Sequence, residues 1–354
     1  MATAVTIGIL ASNIVPAPAF ADGIRERQWH LRFLNIMQTH QISEGNGVLV
    51  AVTDTGVDPA SPELAPAVVS GIQFDQGGGD GRADFDGHGT AMAALIGARG
   101  KANGSGVLGI APKSTILPVD VVTGDPAVLG TGIDWAVDHG ARVVSISLGT
   151  SEEPSTRAAV ERALAADVVV VACVGNAPDE SKVVFPARLP GVLAVGGVDR
   201  EGNHAAVSVT GPEVMISAPA VDIMSIGASQ RYRTATGTSD ATAIVAGAVA
   251  LVRAKFPQLS QAEVVRRIIL TAQDRGAPGR DNEYGYGVID IVKALTAEIP
   301  AASPSASPSV SAGPDDERGS STVAMVVGVG LAALVVVLVA VVQGVARSRR
   351  RRYR

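Results

Sequence analysis

The chain has 354 residues, of which 47% are hydrophobic and 3% aromatic, and its formal net charge at pH 7 is −5. This length accommodates one large α/β domain with attached segments. The single cysteine, Cys173, excludes an intrachain disulfide, and the acidic balance argues against binding to nucleic acid.

The first 21 residues have the pattern of an export signal. They carry no charged side chain, and the apolar stretch over 3–15 is too short to span a bilayer. Ala19-Phe20-Ala21 then supplies an Ala-x-Ala cleavage site before Asp22. The positively charged start of such peptides is missing, so an uncleaved anchor is the alternative. The pattern favours a signal peptide at 1–21.

The first candidate functional residue is Asp54, at the end of a predicted strand. An apolar run over 48–52 leads through Thr53 to this aspartate, as in a buried strand of a parallel sheet. Sites in open α/β sheets form at the carboxyl ends of the strands. The alternative is that Asp54 only forms a turn with the residues that follow it.

A stretch rich in glycine and aspartate, 75–87, leads into the second candidate, His88. Asp80, Asp84 and Asp86 could bind calcium, but their spacing does not match an EF-hand loop and no glutamate closes it. We therefore predict a mobile surface loop. His88 lies between two glycines at a helix start, which leaves its imidazole uncrowded, although a structural histidine is the alternative. The other histidines show no zinc-ligand spacing.

Strands and helices then alternate along the chain, which predicts a parallel sheet with right-handed crossovers. The predicted strands are 115–122, 141–148 and 168–174, and the predicted helices are 129–139 and 152–166. Cys173 lies in the last of these strands, and we interpret it as a small core residue. A later helix is predicted from Ser260 through Thr271, because Ser260 and Glu263 match a capping box.

The third candidate, Ser239, belongs to a Gly-Thr-Ser turn at 237–239, ahead of a predicted buried helix over 241–252. Glycine allows a tight turn, and a helix N-terminus offers free N–H groups and partial positive charge to an oxyanion. This is a suitable position for a nucleophile. The alternative is an ordinary N-cap, in which Thr238 or Ser239 caps the helix and does nothing more.

Together, the three candidates occur in the order Asp, His, Ser, and their motifs resemble those of the subtilase family of serine endopeptidases. The motifs are Asp-Thr-Gly at 54–56, His-Gly-Thr at 88–90 and Gly-Thr-Ser at 237–239. The resemblance implies an α/β, subtilisin-like three-layer fold with a mostly parallel sheet. It also implies a catalytic triad of Asp54, His88 and Ser239, a polypeptide substrate, and no metal or organic cofactor.

Two further motifs extend the resemblance. Asn176 follows a predicted buried strand and Gly175, where the family's asparagine donates a hydrogen bond to the oxyanion. Ser147, Leu148 and Gly149 resemble the edge that pairs with the substrate backbone. The resemblance therefore assigns an oxyanion role to Asn176 and substrate binding to 147–149.

The sequence departs from the family pattern beside the nucleophile. Asp240 stands where a large apolar residue is usual, and Ala243 replaces a common proline. A carboxylate suits a helix N-terminus, but it also places a negative charge near the position where the oxyanion develops. The direction in which the Asp240 side chain points stays open at this level.

The extension at 22–44 is shorter than the usual subtilase propeptide and is predicted to be partly helical over 24–31. Its Gln-Trp-His-Leu segment resembles the mycosins, the membrane-anchored subtilases of actinobacterial type VII secretion systems. In that subfamily the segment wraps against the catalytic domain, which we assign to 45–298. Trp29 is therefore interpreted as a packing anchor rather than a substrate contact. The type VII secretion machinery is an implied partner.

The C-terminal part predicts a membrane anchor. Residues 299–322 resemble a solvated Ala/Ser/Pro linker, and 323–342 form an apolar run long enough to span a bilayer as a transmembrane helix. The tail, 343–354, contains six arginines, so the positive-inside rule places it in the cytoplasm and the catalytic domain outside. Without those six, 23 basic residues remain against 34 acidic ones, a net charge near −11.

These features predict a single-pass protein of the cell membrane with an extracytoplasmic serine endopeptidase domain. A weakly active or inactive subunit that stabilises a membrane secretion complex is the alternative function.

Overall fold

The computed structural model describes residues 23–74 and 77–300. The strands found there are β1 Leu49–Asp54, β2 Ile72–Gln73, β3 Thr115–Asp120, β4 Val143–Ile146, β5 Val169–Cys173, β6 Leu193–Val198, β7 Ile216–Pro219, β8 Ile223–Ile226 and β9 Tyr232–Ala235. Within the described residues, β1 to β7 form one sheet in the order β2-β3-β1-β4-β5-β6-β7. All neighbouring strands of this sheet are parallel, whereas β8 and β9 form a separate antiparallel hairpin.

In the described residues, three short helices precede β1, and one helix follows each of β2, β3 and β4. Three more helices follow the β8–β9 hairpin. They are α1 Gly23–Arg27, α2 Trp29–Phe33, α3 Ile36–His40, α4 His88–Gly97, α5 Val128–Asp138, α6 Pro154–Ala165, α7 Thr238–Lys255, α8 Gln261–Leu270 and α9 Ile291–Thr296. A short 3-10 turn, Ala228–Gln230, joins β8 to β9.

Helices cover both faces of the sheet, which gives the three layers predicted above. Successive residues of a strand point to opposite faces. Accordingly, Val50 and Val52 of β1 join the core formed with α4, α7 and α8, whereas Ala51 joins the core formed with α5 and α6. Because both faces are buried, the strands are apolar throughout rather than alternating, as in β5, where every residue is buried. The predicted subtilisin-like α/β architecture is confirmed.

The helix that carries Ser239 runs through the larger of these two cores. α7 is buried along nearly its whole length, in agreement with its small and apolar composition. It begins at Thr238, three residues before the predicted start at 241. The capping box of Ser260 and Glu263 is present at the start of α8, as predicted. The predicted strands and helices between 115 and 174 are confirmed, with ends that differ by no more than two residues.

The N-terminal extension is tied to the body of the domain by side chains. The Gln28 amide both donates to and accepts from the backbone of Leu108, at 3.0 and 2.9 Å. The Trp29 indole donates to the carbonyl oxygen of Val221 at 3.0 Å, and the side chain is only 5% exposed. Trp29 is thus a packing anchor, as predicted.

No helix within 23–74 and 77–300 is long and apolar enough to cross a membrane. The predicted signal peptide at 1–21, the predicted transmembrane helix at 323–342 and the predicted tail at 343–354 all lie outside the described residues, as does the predicted linker beyond residue 300.

Candidate active site

Asp54 and His88 meet at the carboxyl edge of the sheet, where β1 ends and α4 begins. The Nδ1 atom of His88 lies 2.7 Å from Oδ1 of Asp54, and the same oxygen accepts from the Thr55 N–H at 2.9 Å. Gly89 permits this approach, since a Cβ at that position would lie 2.1 Å from the carbonyl oxygen of Gly56. A bond to a carboxylate keeps the proton on Nδ1, so Nε2 is left as the basic nitrogen.

The pKa of His88 reflects opposing influences. Burial lowers it, but the hydrogen bond and the charge of Asp54, with the charge of Asp240, raise the pKa above its ordinary value. The positive charge of Arg233 acts against this rise. The surroundings therefore favour the imidazolium, which is the form that a general base reaches after it has accepted a proton.

Asp84 connects the Asp-Thr-Gly motif at 54–56 to the His-Gly-Thr motif at 88–90, a role that the sequence alone did not predict. Its Oδ1 accepts from the Thr55 hydroxyl at 2.9 Å and the Gly87 N–H at 2.8 Å. Its Oδ2 accepts from the N–H and the hydroxyl of Thr90, at 2.8 and 2.6 Å. Thr55 in turn accepts from the Gly89 N–H at 2.9 Å. One buried carboxylate thus joins the turn after β1 to the first turn of α4.

These contacts bear on two interpretations of the loop before His88. The prediction of a surface loop is wrong for Asp84 and Gly87, which are buried. The calcium interpretation of Asp84 is not supported, because four protein donors already use its two oxygens. In the described part of the chain, no group of three or more His, Cys, Asp or Glu side chains is arranged to hold a metal ion.

Ser239 lies in the first turn of α7, where its hydroxyl donates to the carbonyl oxygen of Ser147 at 3.0 Å. The Ser147 hydroxyl returns a bond of 3.2 Å to the carbonyl oxygen of Ser239. The N-cap is Gly237, with no side-chain cap bond, so the alternative of an N-cap at Thr238 or Ser239 is wrong. In this state the hydroxyl proton of Ser239 is directed at Ser147 rather than at His88.

Asn176 caps α7 from outside the helix. Its Oδ1 accepts from the N–H of Thr238 at 2.9 Å and from the Thr238 hydroxyl at 3.1 Å. A backbone N–H can only donate, so this contact assigns the oxygen of the amide to Thr238 and leaves Nδ2 on the other side. Gly237 lies against the same amide, and a Cβ added to Gly237 would be 3.6 Å from Nδ2. The turn that precedes Ser239 therefore fixes the orientation of the Asn176 amide.

Residues 147–149 follow β4 directly, and Leu148 and Gly149 line one wall of a pocket. Ser147 is buried, Leu148 is half-buried and Gly149 is exposed. The pocket has a volume of about 420 Å³, and its opposite wall is formed by the loop after β3 and the start of α5, from Val121 to Leu129.

Asp240 points into the protein interior rather than into solvent, which answers the question of its direction. Its side chain is 3% exposed, and burial raises the pKa of this carboxyl to about 7 against the opposing charges of Arg233 and His88. Cys173 is also buried, and burial raises the pKa of its thiol to about 12. A thiol in this state does not form the reactive thiolate, in agreement with the interpretation of Cys173 as a core residue.

The fold therefore gathers the candidate residues from five separate segments at one edge of the sheet. Asp54 and His88 are hydrogen-bonded to each other, and Ser239 is bonded to the 147–149 edge and follows the turn held by Asn176. The sequence analysis did not predict the linking role of Asp84 and did not single out Arg233. For Asp84, the only available signal was its place four residues before His88 in an aspartate-rich stretch.

Comparisons with known proteins agree with this geometry. The model of the subtilase family matches residues 45–287. A thermostable alkaline protease of Halalkalibacterium halodurans is 37% identical over 272 residues, which cover 75% of this chain and 73% of the relative. Mycosin-1 of Mycobacterium tuberculosis is 33% identical over 346 residues, covering 80% and 76% of the two chains.

Among solved structures, the serine protease MycP1, described as an essential component of the type VII (ESX-1) secretion system, matches with a TM-score of 0.69 and 32% identity. That match covers 80% of this chain and 91% of MycP1.

Proposed function

Because the chain belongs to the subtilase family of serine endopeptidases, we propose that Asp54, His88 and Ser239 form its catalytic triad. The observation that carries this proposal is the 2.7 Å hydrogen bond between His88 Nδ1 and Asp54 Oδ1, at the sheet edge that also holds Ser239. Asp54 orients the imidazole and stabilises its charged form, while Nε2 acts as the base.

Catalysis begins when the hydroxyl of Ser239 turns from the Ser147 carbonyl oxygen to His88. Oγ of Ser239 attacks the carbonyl carbon of the scissile peptide, and Nε2 of His88 takes the hydroxyl proton. The C–N bond then breaks, and His88 returns the proton to the leaving amine. Water attacks the resulting acyl-enzyme with the same help from His88, which releases the acid product and restores Ser239.

The oxyanion formed in these steps requires hydrogen-bond donors. We assign this role to Nδ2 of Asn176 and to the backbone N–H of Ser239. The amide of Asn176 is oriented for it, because its oxygen is already bound to Thr238. The N–H of Ser239 is in the first turn of α7, where backbone N–H groups have no partner within the helix and the helix dipole is positive. Such donors are worth most where charge develops in the transition state.

The substrate is a polypeptide in an extended conformation. Its backbone pairs with Ser147, Leu148 and Gly149, as a strand added to an exposed edge. A side chain of the peptide then enters the pocket of about 420 Å³ lined by Leu148 and Leu129. Both residues are apolar, so we expect a preference for an apolar substrate side chain at that position.

We also assign the chain's arrangement in the cell. The signal peptide at 1–21 directs export, the extension at 22–44 precedes the catalytic domain at 45–298, and the linker at 299–322 leads to a transmembrane helix at 323–342 with a cytoplasmic tail at 343–354. The apolar run and the arginine-rich tail support this topology. The similarity to MycP1 supports an association with type VII secretion machinery.

Labelling with a fluorophosphonate probe tests the proposed triad. Membranes that contain the full chain should show one labelled band that disappears in Ser239→Ala and is strongly reduced in His88→Ala. Ser70→Ala serves as the matched control, because it removes the hydroxyl of an exposed serine, and this variant should label normally. Absence of a Ser239-dependent band would favour the alternative, a subunit that stabilises a secretion complex without turnover.

A further inference from the structure

A buried carboxyl group beside the nucleophile has no role in the mechanism above. Asp240 directly follows Ser239, its side chain is 3% exposed, and within the described part of the chain its Oδ1 has no hydrogen-bond partner. Burying a carboxylate with an unpaired oxygen is costly, so such a group is either neutral or stabilised by a nearby positive charge.

Two groups that can carry a positive charge act on Asp240, and they belong to different elements. His88 opens α4, which packs against α7, and Arg233 belongs to β9 of the hairpin whose other strand, β8, also packs against α4. The stem of Arg233 lies over Gly227, where a Cβ would be 2.9 Å from the arginine Cδ, so the absence of a side chain there makes room for it. The charges of Arg233 and His88 both act on Asp240.

His88 experiences the same groups from its own side. Asp54 on β1 contacts it directly, and Asp240 on α7 and Arg233 on β9 act on it through their charges. Two carboxyl groups and one guanidinium thus influence the imidazole, and of these only Asp54 is hydrogen-bonded to it. Asp240 and Arg233 act on the imidazole in opposite directions.

We propose that Asp240 and Arg233 are positioning residues that act through His88 and together set the pH at which its imidazole releases a proton. The proposal rests on the triad assigned above. An ionised Asp240 stabilises the imidazolium, whereas Arg233 destabilises it. The charge of each group acts on the other, so the ionisation of Asp240 and the protonation of His88 influence each other.

The sign of each effect follows from the requirement that His88 be neutral in the free enzyme. Removing the Asp240 charge lowers the pKa of His88, so the acid limb of the kcat/KM profile moves to lower pH. Removing the Arg233 charge raises the pKa of His88, so the limb moves to higher pH. A residue with only a structural role would not move the limb in a direction set by the sign of its charge.

The test compares pH profiles of the full chain with Asp240→Asn and Arg233→Gln, using a peptide that the parent cleaves. Near pH 7, where Asp240 ionises, kcat/KM relative to its plateau should rise by up to about threefold in Asp240→Asn. In Arg233→Gln it should fall about threefold along the whole acid limb. Arg231→Gln is the matched control, since Arg231 is an exposed arginine beside β9 and its charge is not among the main influences on the His88 pKa; its profile should match the parent.

An NMR titration of the His88 ring in the Ser239→Ala background provides a readout that does not need turnover. Opposite shifts of its midpoint in Asp240→Asn and Arg233→Gln support the inference, even if the parent shows no protease activity and the triad proposal fails. Unchanged midpoints, or shifts in the same direction, overturn it. Should Asp240→Asn not fold, the direction of the Arg233→Gln shift alone decides.

Discussion

Ser147 and Ser239 exchange hydrogen bonds, each hydroxyl donating to the carbonyl oxygen of the other residue, at 3.2 and 3.0 Å. The end of β4 and the start of α7 are therefore joined at the point where we place substrate binding and nucleophilic attack. In the proposed mode of binding, this contact would hold a substrate strand on 147–149 beside Ser239. Orientation of this kind supplies a large part of the rate acceleration of enzymes.

Replacing Asn176 with alanine should cost roughly 10²–10³-fold in kcat, the effect of losing one oxyanion donor. KM should change little, because the hydrogen bond strengthens mainly in the transition state. The N–H of Thr238 also loses its acceptor, so the free energy of unfolding should fall by about 1 kcal/mol. Steady-state kinetics and thermal unfolding measure the two effects.

Asn176→Asp is the companion variant. It keeps the acceptor for Thr238 but replaces the donor with a charge, so it should damage kcat at least as much as alanine does. Near-normal kcat in folded Asn176→Ala would remove Asn176 from the mechanism.

Asp84→Asn should disturb both stability and activity. The amide retains one acceptor oxygen, so donors from Thr90 or from Thr55 and Gly87 lose their partner. We expect a loss of about 2–3 kcal/mol in the free energy of unfolding. Because the turn after Asp54 is then held to α4 by fewer hydrogen bonds, kcat should fall roughly tenfold.

Asp80→Asn is the control for this change, since Asp80 is an exposed aspartate of the same loop. Its unfolding free energy should stay within about 0.5 kcal/mol of the parent. If the two variants behaved alike in chemical denaturation and kinetics, Asp84 would not be the link between the two motifs.

His30 should make the domain sensitive to acid. It is fully buried, within the described residues neither ring nitrogen has a hydrogen-bond partner, and burial lowers its pKa to about 3. In the unfolded chain the pKa is near 6.5, so between pH 6.5 and 3 the unfolded state binds the extra proton. Above pH 6.5 this histidine does not affect stability. As the pH is lowered from 6.5 towards 3, the free energy of unfolding decreases by at most about 1.4 kcal/mol for each pH unit.

Chemical denaturation between pH 7 and 4 measures this effect. His30→Leu should flatten the dependence, whereas replacement of the exposed His139 by glutamine should leave it as in the parent. An identical slope in parent and His30→Leu would mean that other groups cause the acid sensitivity.

The proposed topology predicts where an added protease can act. In intact cells, an external protease should cut the 299–322 linker and release a soluble catalytic domain, because the proposed topology places the linker outside the cell. Immunoblots against the catalytic domain follow its release. Protection of the linker in intact cells, with cleavage only after lysis, would reverse the orientation.

Much of the fold could be predicted from local pattern. Runs such as Val169–Cys173 are apolar on both faces, which is the requirement for a strand covered by helices on two sides. The capping box of Ser260 and Glu263 is a contact between near neighbours, so the sequence alone was sufficient to predict it. β6, β7 and the β8–β9 hairpin were not predicted. β6 contains the pair Gly196 and Gly197, and glycine weakens the strand pattern.

The candidate site, like the fold, could be predicted only in part from the sequence. Its motifs are short, so the residue types of Asp54, His88 and Ser239 and their order along the chain could be read directly from the sequence. Their roles stay a prediction until activity is measured. The Asp54–His88 contact joins residues 34 apart, and it exists because β1 ends and α4 begins at the same edge of the sheet.

Only the tertiary structure decided which way the polar groups of the site point. The link made by Asp84, the orientation of the Asn176 amide toward Thr238 and the burial of Asp240 all depend on neighbours from distant segments. Local sequence determines the preference of a segment for helix or strand, because that preference depends on its own backbone and burial pattern. The direction and charge of a buried polar side chain depend on donors and charges that other elements bring to it, and these are defined only when the chain has folded.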